Sequence, residues 1–180
     1  MCMTSGKLVV MAALLVAGSL TGCSWFAPAA KPASAPALAA APTYDLVASI
    51  RAAGEREQSV ISVTPLRDPG VAALQDSAAS DERAGRYVEA AAALDQALKL
   101  SPDSPDLLQD RAEIAVRRKN FSVAEELAHR SWSLGPKLGP LCARNWQTVV
   151  EIRLQARDLA GATDARKWVQ GCHKAGVPRY

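Results

Sequence analysis

From Val71 onward, apolar residues recur at the three- and four-residue spacing of amphipathic helices, interrupted at regular intervals by glycine, proline and short polar turns. Val71, Leu74, Ser77 and Ala78 form a first stripe after Asp68-Pro69, where aspartate suits an N-cap and proline suits the first helical position. Gly85 ends that stretch. Tyr87, Ala90, Leu94, Ala97 and Leu98 continue on a second helix, with Leu100 near its end, until Pro102 stops it. Ser104-Pro105-Asp106 repeats the start signal. Leu107, Leu108, Ala112 and Ala115 follow, with Arg117-Arg118-Lys119 at the end favoured by the helix dipole. Phe121, Ala124, Leu127, Ala128, Ser131 and Trp132 then carry a fourth helix to Pro136. A longer stretch from Cys142 to Ala156, through Trp146, Val149, Val150, Ile152 and Leu154, predicts a fifth. A turn within Arg157 to Ala162 predicts a sixth that runs to Cys172.

The pattern is duplicated. Gly85-Arg86-Tyr87-x-x-Ala90 lies above Lys119-Asn120-Phe121-x-x-Ala124 with an offset of 34 residues, and Pro102 lies above Pro136 with the same offset. This stretch resembles the tetratricopeptide repeat, a helix–turn–helix unit of about 34 residues. The resemblance implies an all-α fold, a short superhelix of about three helical hairpins over 68–176, with repeats near 71–104, 105–138 and 139–176. Ala90, Ala124, Ala78 and Ala112 stand where the family brings helices close together. Leu74 and Leu108 replace a common tryptophan, and Lys119 replaces the usual turn glycine. In the third unit Leu159 and Ala162 align with Tyr87 and Ala90, but Ala162 follows Ala124 by 38 residues, about one extra helical turn. Trp146 occupies a position where a small residue is usual.

Ahead of the repeats the pattern changes. Lys7 precedes the apolar run Leu8 to Leu20, too short to span a membrane as a helix and suited to a signal segment. Leu20-Thr21-Gly22-Cys23 then resembles a bacterial lipobox. The resemblance implies that 1–22 is a lipoprotein signal peptide and that Cys23 carries lipid; the alternative is an ordinary secretory signal with a chance cysteine. Ser24, in place of an aspartate, favours the outer membrane, facing the periplasm. Residues 23–43 read as an Ala/Pro-rich linker, a semi-stiff tether reaching roughly 50 Å. Residues 44–67 read as a helical or irregular arm. Leu46, Val47 and Ile50 predict a helix over 44–57, weakened by Gly54, and 60–63 is β-prone between turn signals. This arm either caps the first repeat or serves as a partner-binding segment.

Composition narrows the function. The chain has 180 residues and a net charge of +3, with no basic stripe, so nucleic acid is not indicated. The four cysteines lack metal-ligand or redox-motif spacing. Cys142 and Cys172 are equidistant from the turn at Arg157, so the two ends of the third hairpin meet there. In an oxidising compartment this predicts a disulfide; two buried thiols or a reactive or intermolecular pair are the alternatives. His129 and His173 lack partners at ligand spacing, and there is no nucleophile, zinc or phosphate-loop motif, so no enzyme, metal or cofactor is expected.

The family's concave face, carried over position by position, falls on Gln75, Asp76, Ala79 and Arg83 in the first repeat. In the second it falls on Gln109, Asp110, Glu113 and Arg117, and in the third on Arg144, Gln147 and Glu151. The resemblance implies a mixed-charge groove for a protein or peptide partner with basic residues; the alternative is that these are solvated helix faces. The expected role is a lipid-anchored periplasmic scaffold or adaptor, membrane-attached through Cys23. The second expectation is a self-associating structural or pilotin-like assembly factor of the envelope, a homo-oligomer.

Overall fold

The structure is a computed structural model that describes residues 44–57 and 67–173. The signal segment, Cys23, the tether and the β-prone 60–63 lie outside the described residues. Seven helices follow in order among the described residues: α1 (Leu46–Glu55), α2 (Pro69–Arg83), α3 (Tyr87–Leu100), α4 (Pro105–Arg117), α5 (Phe121–Leu134), α6 (Pro140–Gln155) and α7 (Leu159–Gly171). Helices α2/α3, α4/α5 and α6/α7 pair as hairpins, and α3 against α4 and α5 against α6 join the hairpins into a stack.

The same turn closes all three hairpins. Gly85, Lys119 and Arg157 have φ of 75°, 59° and 59°. The amide after each reaches back to the carbonyl five residues earlier: Arg86 to Asp81 at 2.8 Å, Asn120 to Ala115 at 2.9 Å and Asp158 to Arg153 at 2.9 Å. Each bond satisfies a carbonyl that the helix end would leave orphaned. Glycine enters this left-handed region freely, whereas lysine and arginine bring a Cβ into conflict with the backbone. Lys119→Gly and Arg157→Gly are therefore expected to stabilise the fold by about 1 kcal/mol each, read as a shift of the urea midpoint at unchanged slope.

Start signals are used unevenly. Asp68 caps α2 through its carboxylate, which accepts from the Gly70 amide at 2.7 Å. Ser104 stands at the N-cap position of α4 without capping it. Its hydroxyl instead donates to Asp106 at 2.7 Å, and Asp106 also pairs with Arg67. Ser77, expected on the apolar stripe of α2, is exposed.

The interior is assembled from small residues at close approaches and aliphatic residues between them. Ala90, Ala124 and Ala162, the first buried alanine of each second helix, have no exposed surface, and neither does Ala112. Trp146 falls 34 residues after Ala112 and breaks that rule. Its ring stacks on Trp168 at 5.0 Å and meets Trp132 edge-on at 5.4 Å, so aromatic contacts fill the third hairpin where the others use alanine. Cys142 and Cys172 are joined by a disulfide between the start of α6 and the end of α7, beside Trp146, Val150 and Ala165.

Helix α1 does not cap the first repeat. Val47 and Ile50, at most 1% exposed, lie against Ala115, Val116, Ala124 and Ile152 of the second and third repeats. The physical reason is supply of apolar surface. The second and third hairpins present an apolar seam at α4 and α6 that a short helix with an aliphatic stripe can close.

Candidate functional site

The concave face is built by the first helix of each hairpin, α2, α4 and α6. Residues 34 apart on these helices fall in register across the stack. Asp76, Asp110 and Arg144 form one such row, and Ala79, Glu113 and Gln147 another. The structure fills much of this face with α1.

Glu113 is the centre of the arrangement. It is fully buried, and its carboxylate accepts from Arg51 Nε of α1 at 2.7 Å, Arg144 Nε of α6 at 2.8 Å and its own neighbour Gln109 Nε2 at 3.0 Å. Arg144 also reaches Asp110 at 2.9 Å, and Asp110 accepts from Gln75 of α2 at 2.9 Å. Gln109 bonds to Thr148 at 2.9 Å. Hydrogen bonds thus run from α2 through α4 to α6 without a gap. Such a ladder fixes the relative register of the hairpins, because shifting one leaves a buried charge unpaired.

Helix α1 adds a second set of bonds. Arg51 spans to Glu82 at 2.8 Å as well as to Glu113, and Arg117 links Glu82 at 3.4 Å to Asp45 at 2.7 Å. Glu151, only 1% exposed, accepts from the Tyr44 hydroxyl at 2.8 Å, Ser49 Oγ at 2.6 Å and Gln147 Nε2 at 2.7 Å. Gly54 lies against α6 so closely that an added Cβ would stand 2.8 Å from Cγ of Arg144 and 3.0 Å from the Pro140 carbonyl oxygen.

The charges respond to this setting. Burial alone would lower the pKa of Arg51, but the hydrogen bond to Glu82 and the charge of Glu113 outweigh it and raise it. Burial works in the same direction on Arg144 and is outweighed by Glu113 and Asp110. For Asp45, burial would raise the pKa, but the Arg117 hydrogen bond and the Ala48 amide hold it below the ordinary carboxylate range. A depressed carboxylate contributes stability above its unfolded value of about 3.9 and loses it as pH falls through the folded value. Acidification below about pH 4 is therefore expected to loosen α1 first. An NMR titration should show the Val47 methyls shifting before those of Leu107; simultaneous shifts would contradict this.

Of the eleven residues assigned to the groove from sequence, five are covered and five line an open pocket, although Gln75, Asp110 and Arg117 of the second set also join the hydrogen-bond network. Gln109, Glu113, Arg144, Gln147 and Glu151 are engaged by one another or by α1. Gln75, Ala79, Arg83, Asp110 and Arg117 line an open pocket of about 640 Å³ beside α1, shared with Arg51, Glu82 and Tyr87. Asp76 is exposed and stands apart from both groups. Tyr44, Asp45, Ser49, Arg51 and Glu82 were missed from sequence. For Tyr44, Asp45, Ser49 and Arg51 the only linear signal was an aliphatic stripe with an adjoining arginine on a helix too short to be stable alone, and Glu82 is one acid among several on α2. Neither histidine has a metal-like setting. His129 meets Trp146 edge-on at 5.4 Å, and His173 lies 3.0 Å from Glu57. Among the described residues no group of three His, Cys, Asp or Glu side chains is placed to hold a metal ion, and no helix is long and apolar enough to cross a membrane.

Stacked hairpins closed by one recurrent turn, small residues at their crossings and a concave face built from the first helices give a tetratricopeptide-repeat-like fold, the architecture of a protein-interaction module. A tetratricopeptide-repeat family profile matches residues 83–137. The solved structure of the globular C-terminal domain of P. aeruginosa LpoP is similar at 28% identity and a TM-score of 0.55, covering 58% of this chain and 99% of that one. No curated protein sequence matches the chain.

Proposed function

We propose that the chain is a lipid-anchored scaffold or adaptor that holds a protein partner at the periplasmic face of the outer membrane. The observation that carries this reading is the concave face itself, a ladder of buried and half-buried charges that already accepts a helix. Lipid on Cys23 and the Ala/Pro tether supply the attachment, and the LpoP domain supports the assignment to this kind of module. The sequence carries no nucleophile, zinc or phosphate-loop motif, and we assign no catalytic role.

The test is crosslinking in living cells followed by affinity capture. Ala79→Trp would fill the open pocket while leaving the hydrogen-bond ladder intact. Capture of an envelope protein by the wild type and its loss with Ala79→Trp are expected; equal capture would move the site off the concave face. Incorporation of labelled palmitate, lost with Cys23→Ser, checks the anchor.

One observation favours self-association as a second reading. On α7, Leu159 is 68% and Trp168 51% exposed, so the last hairpin offers apolar surface outward. Sedimentation of Trp168→Lys against wild type separates the two readings.

A further inference from the structure

Helix α1 is a bound helix in all but covalent connection. It lies on α4 and α6, bonds to acids on α2, α4 and α6, and inserts Val47 and Ile50 into an apolar seam. Its ten residues are fewer than the 12–15 that an isolated helix needs to persist in water. Its helical state therefore depends on the groove. The hydrogen bonds within the repeats do not depend on α1 in the same way. Glu113 keeps Arg144 and Gln109, and Asp110 keeps Arg144 and Gln75, when α1 is subtracted. What α1 covers is then a mixed-charge cleft in which Glu82, Glu113 and Glu151 would each lose a partner, with a waiting apolar seam.

We propose that α1 is a displaceable occupant of this cleft, and that the partner is a helix with the same chemistry. The surface specifies that chemistry closely. Two aliphatic residues three apart fill the seam, as Val47 and Ile50 do. An arginine directly after the second reaches Glu113 and Glu82, as Arg51 does. Hydroxyl donors on the preceding side meet Glu151, as Tyr44 and Ser49 do. A residue without a side chain faces α6, as Gly54 does. This inference rests on the adaptor reading and adds to it the partner's form and its competitor. Because α1 is joined to α2 through residues 56–68, it competes as an intramolecular ligand at high effective concentration.

The probe is a fluorescein-labelled peptide of residues 44–57, titrated against the mature full-length chain and its Gly54→Leu variant. Leucine at 54 collides with the Arg144 stem and the Pro140 carbonyl, so it unseats the tethered helix while every acid of the cleft remains. The peptide, which keeps glycine, is expected to bind Gly54→Leu at least about tenfold more tightly than wild type, because the internal competitor is gone. An Arg51→Ala peptide is expected to lose at least about tenfold in affinity for the same variant, in line with removal of one hydrogen-bonded charge from a buried partner.

Equal peptide binding by wild type and Gly54→Leu would overturn the proposal. So would a Gly54→Leu circular-dichroism signal that falls by more than the α1 contribution, because α1 would then be a brace the repeats require. Exchange of α1 between wild-type copies, seen in sedimentation as a dimer that Trp168→Lys leaves intact and Gly54→Leu abolishes, would also overturn it by assigning the cleft to a second copy. Crosslinking separates this inference from the adaptor reading. A partner captured equally by wild type and Gly54→Leu keeps the adaptor and removes the competitor. Tight peptide binding with no partner captured keeps the competitor and removes the adaptor.

Discussion

Glu113→Ala is expected to lower the free energy of unfolding by about 3–5 kcal/mol. The carboxylate has no exposed surface and accepts hydrogen bonds from Arg51, Arg144 and Gln109. Removing it leaves the buried part of Arg144 facing Asp110 alone and strands Arg51 with Glu82. The penalty comes mostly from the charges left behind rather than from the bonds lost. Glu113→Gln retains an acceptor oxygen and is expected to fall between wild type and alanine. Asp76→Ala, at an exposed position on the same face, should change stability by no more than about 0.5 kcal/mol. Urea unfolding of the three variants tests the set. A Glu113→Ala midpoint close to that of Asp76→Ala would show that the ladder contributes nothing to holding the hairpins together.

Reduction of the Cys142–Cys172 bond, or Cys142→Ser with Cys172→Ser, is expected to lower stability by about 3–4 kcal/mol through the unfolded chain's regained freedom. The sequence separation of 30 places the loop in the middle of the range in which that entropy matters. The effect should be concentrated in the last hairpin, which has a repeat on one side only. Hydrogen exchange should therefore show α7 losing protection on reduction while α2 and α3 keep theirs. Uniform loss along the stack would mean that the repeats unfold as one unit.

The repeats were legible in the sequence because their determinants are local. Alanine at crossings, proline at the first turn and a fixed offset between turns are all short-range signals, and the helix boundaries follow them. The turn at Arg157 was legible from the Asp158-Leu159-Ala160-Gly161 segment, although Gly161 itself lies within α7. The concave face was legible only as a set of positions. Periodicity shows that Gln109 and Glu113 lie on one helix face, but it cannot show that their outward side is covered. The cover comes from a segment more than fifty residues earlier, and its polar contacts depend on side-chain reach rather than on spacing. The notion of a cap on the first repeat followed chain order, whereas burial of the Val47 and Ile50 stripe decided the outcome. Ser104 shows a smaller version of the same competition: a good N-cap residue was diverted by a nearby aspartate.

The contacts of α1 also fix an order of events during folding. Ser49 and Glu151 are separated by 102 positions, and Tyr44 and Glu151 by 107, whereas each hairpin closes on residues a few turns apart. Local closures are fast, and long-range ones wait for their entropy to be offset by structure already formed. In a chain made from its N-terminus, α1 is synthesised before any surface that can receive it. Its binding site on α6 exists only after most of the protein has been translated. The first of the described helices is thus the last to be seated, and in the interval the groove is available to any other helix of the right pattern.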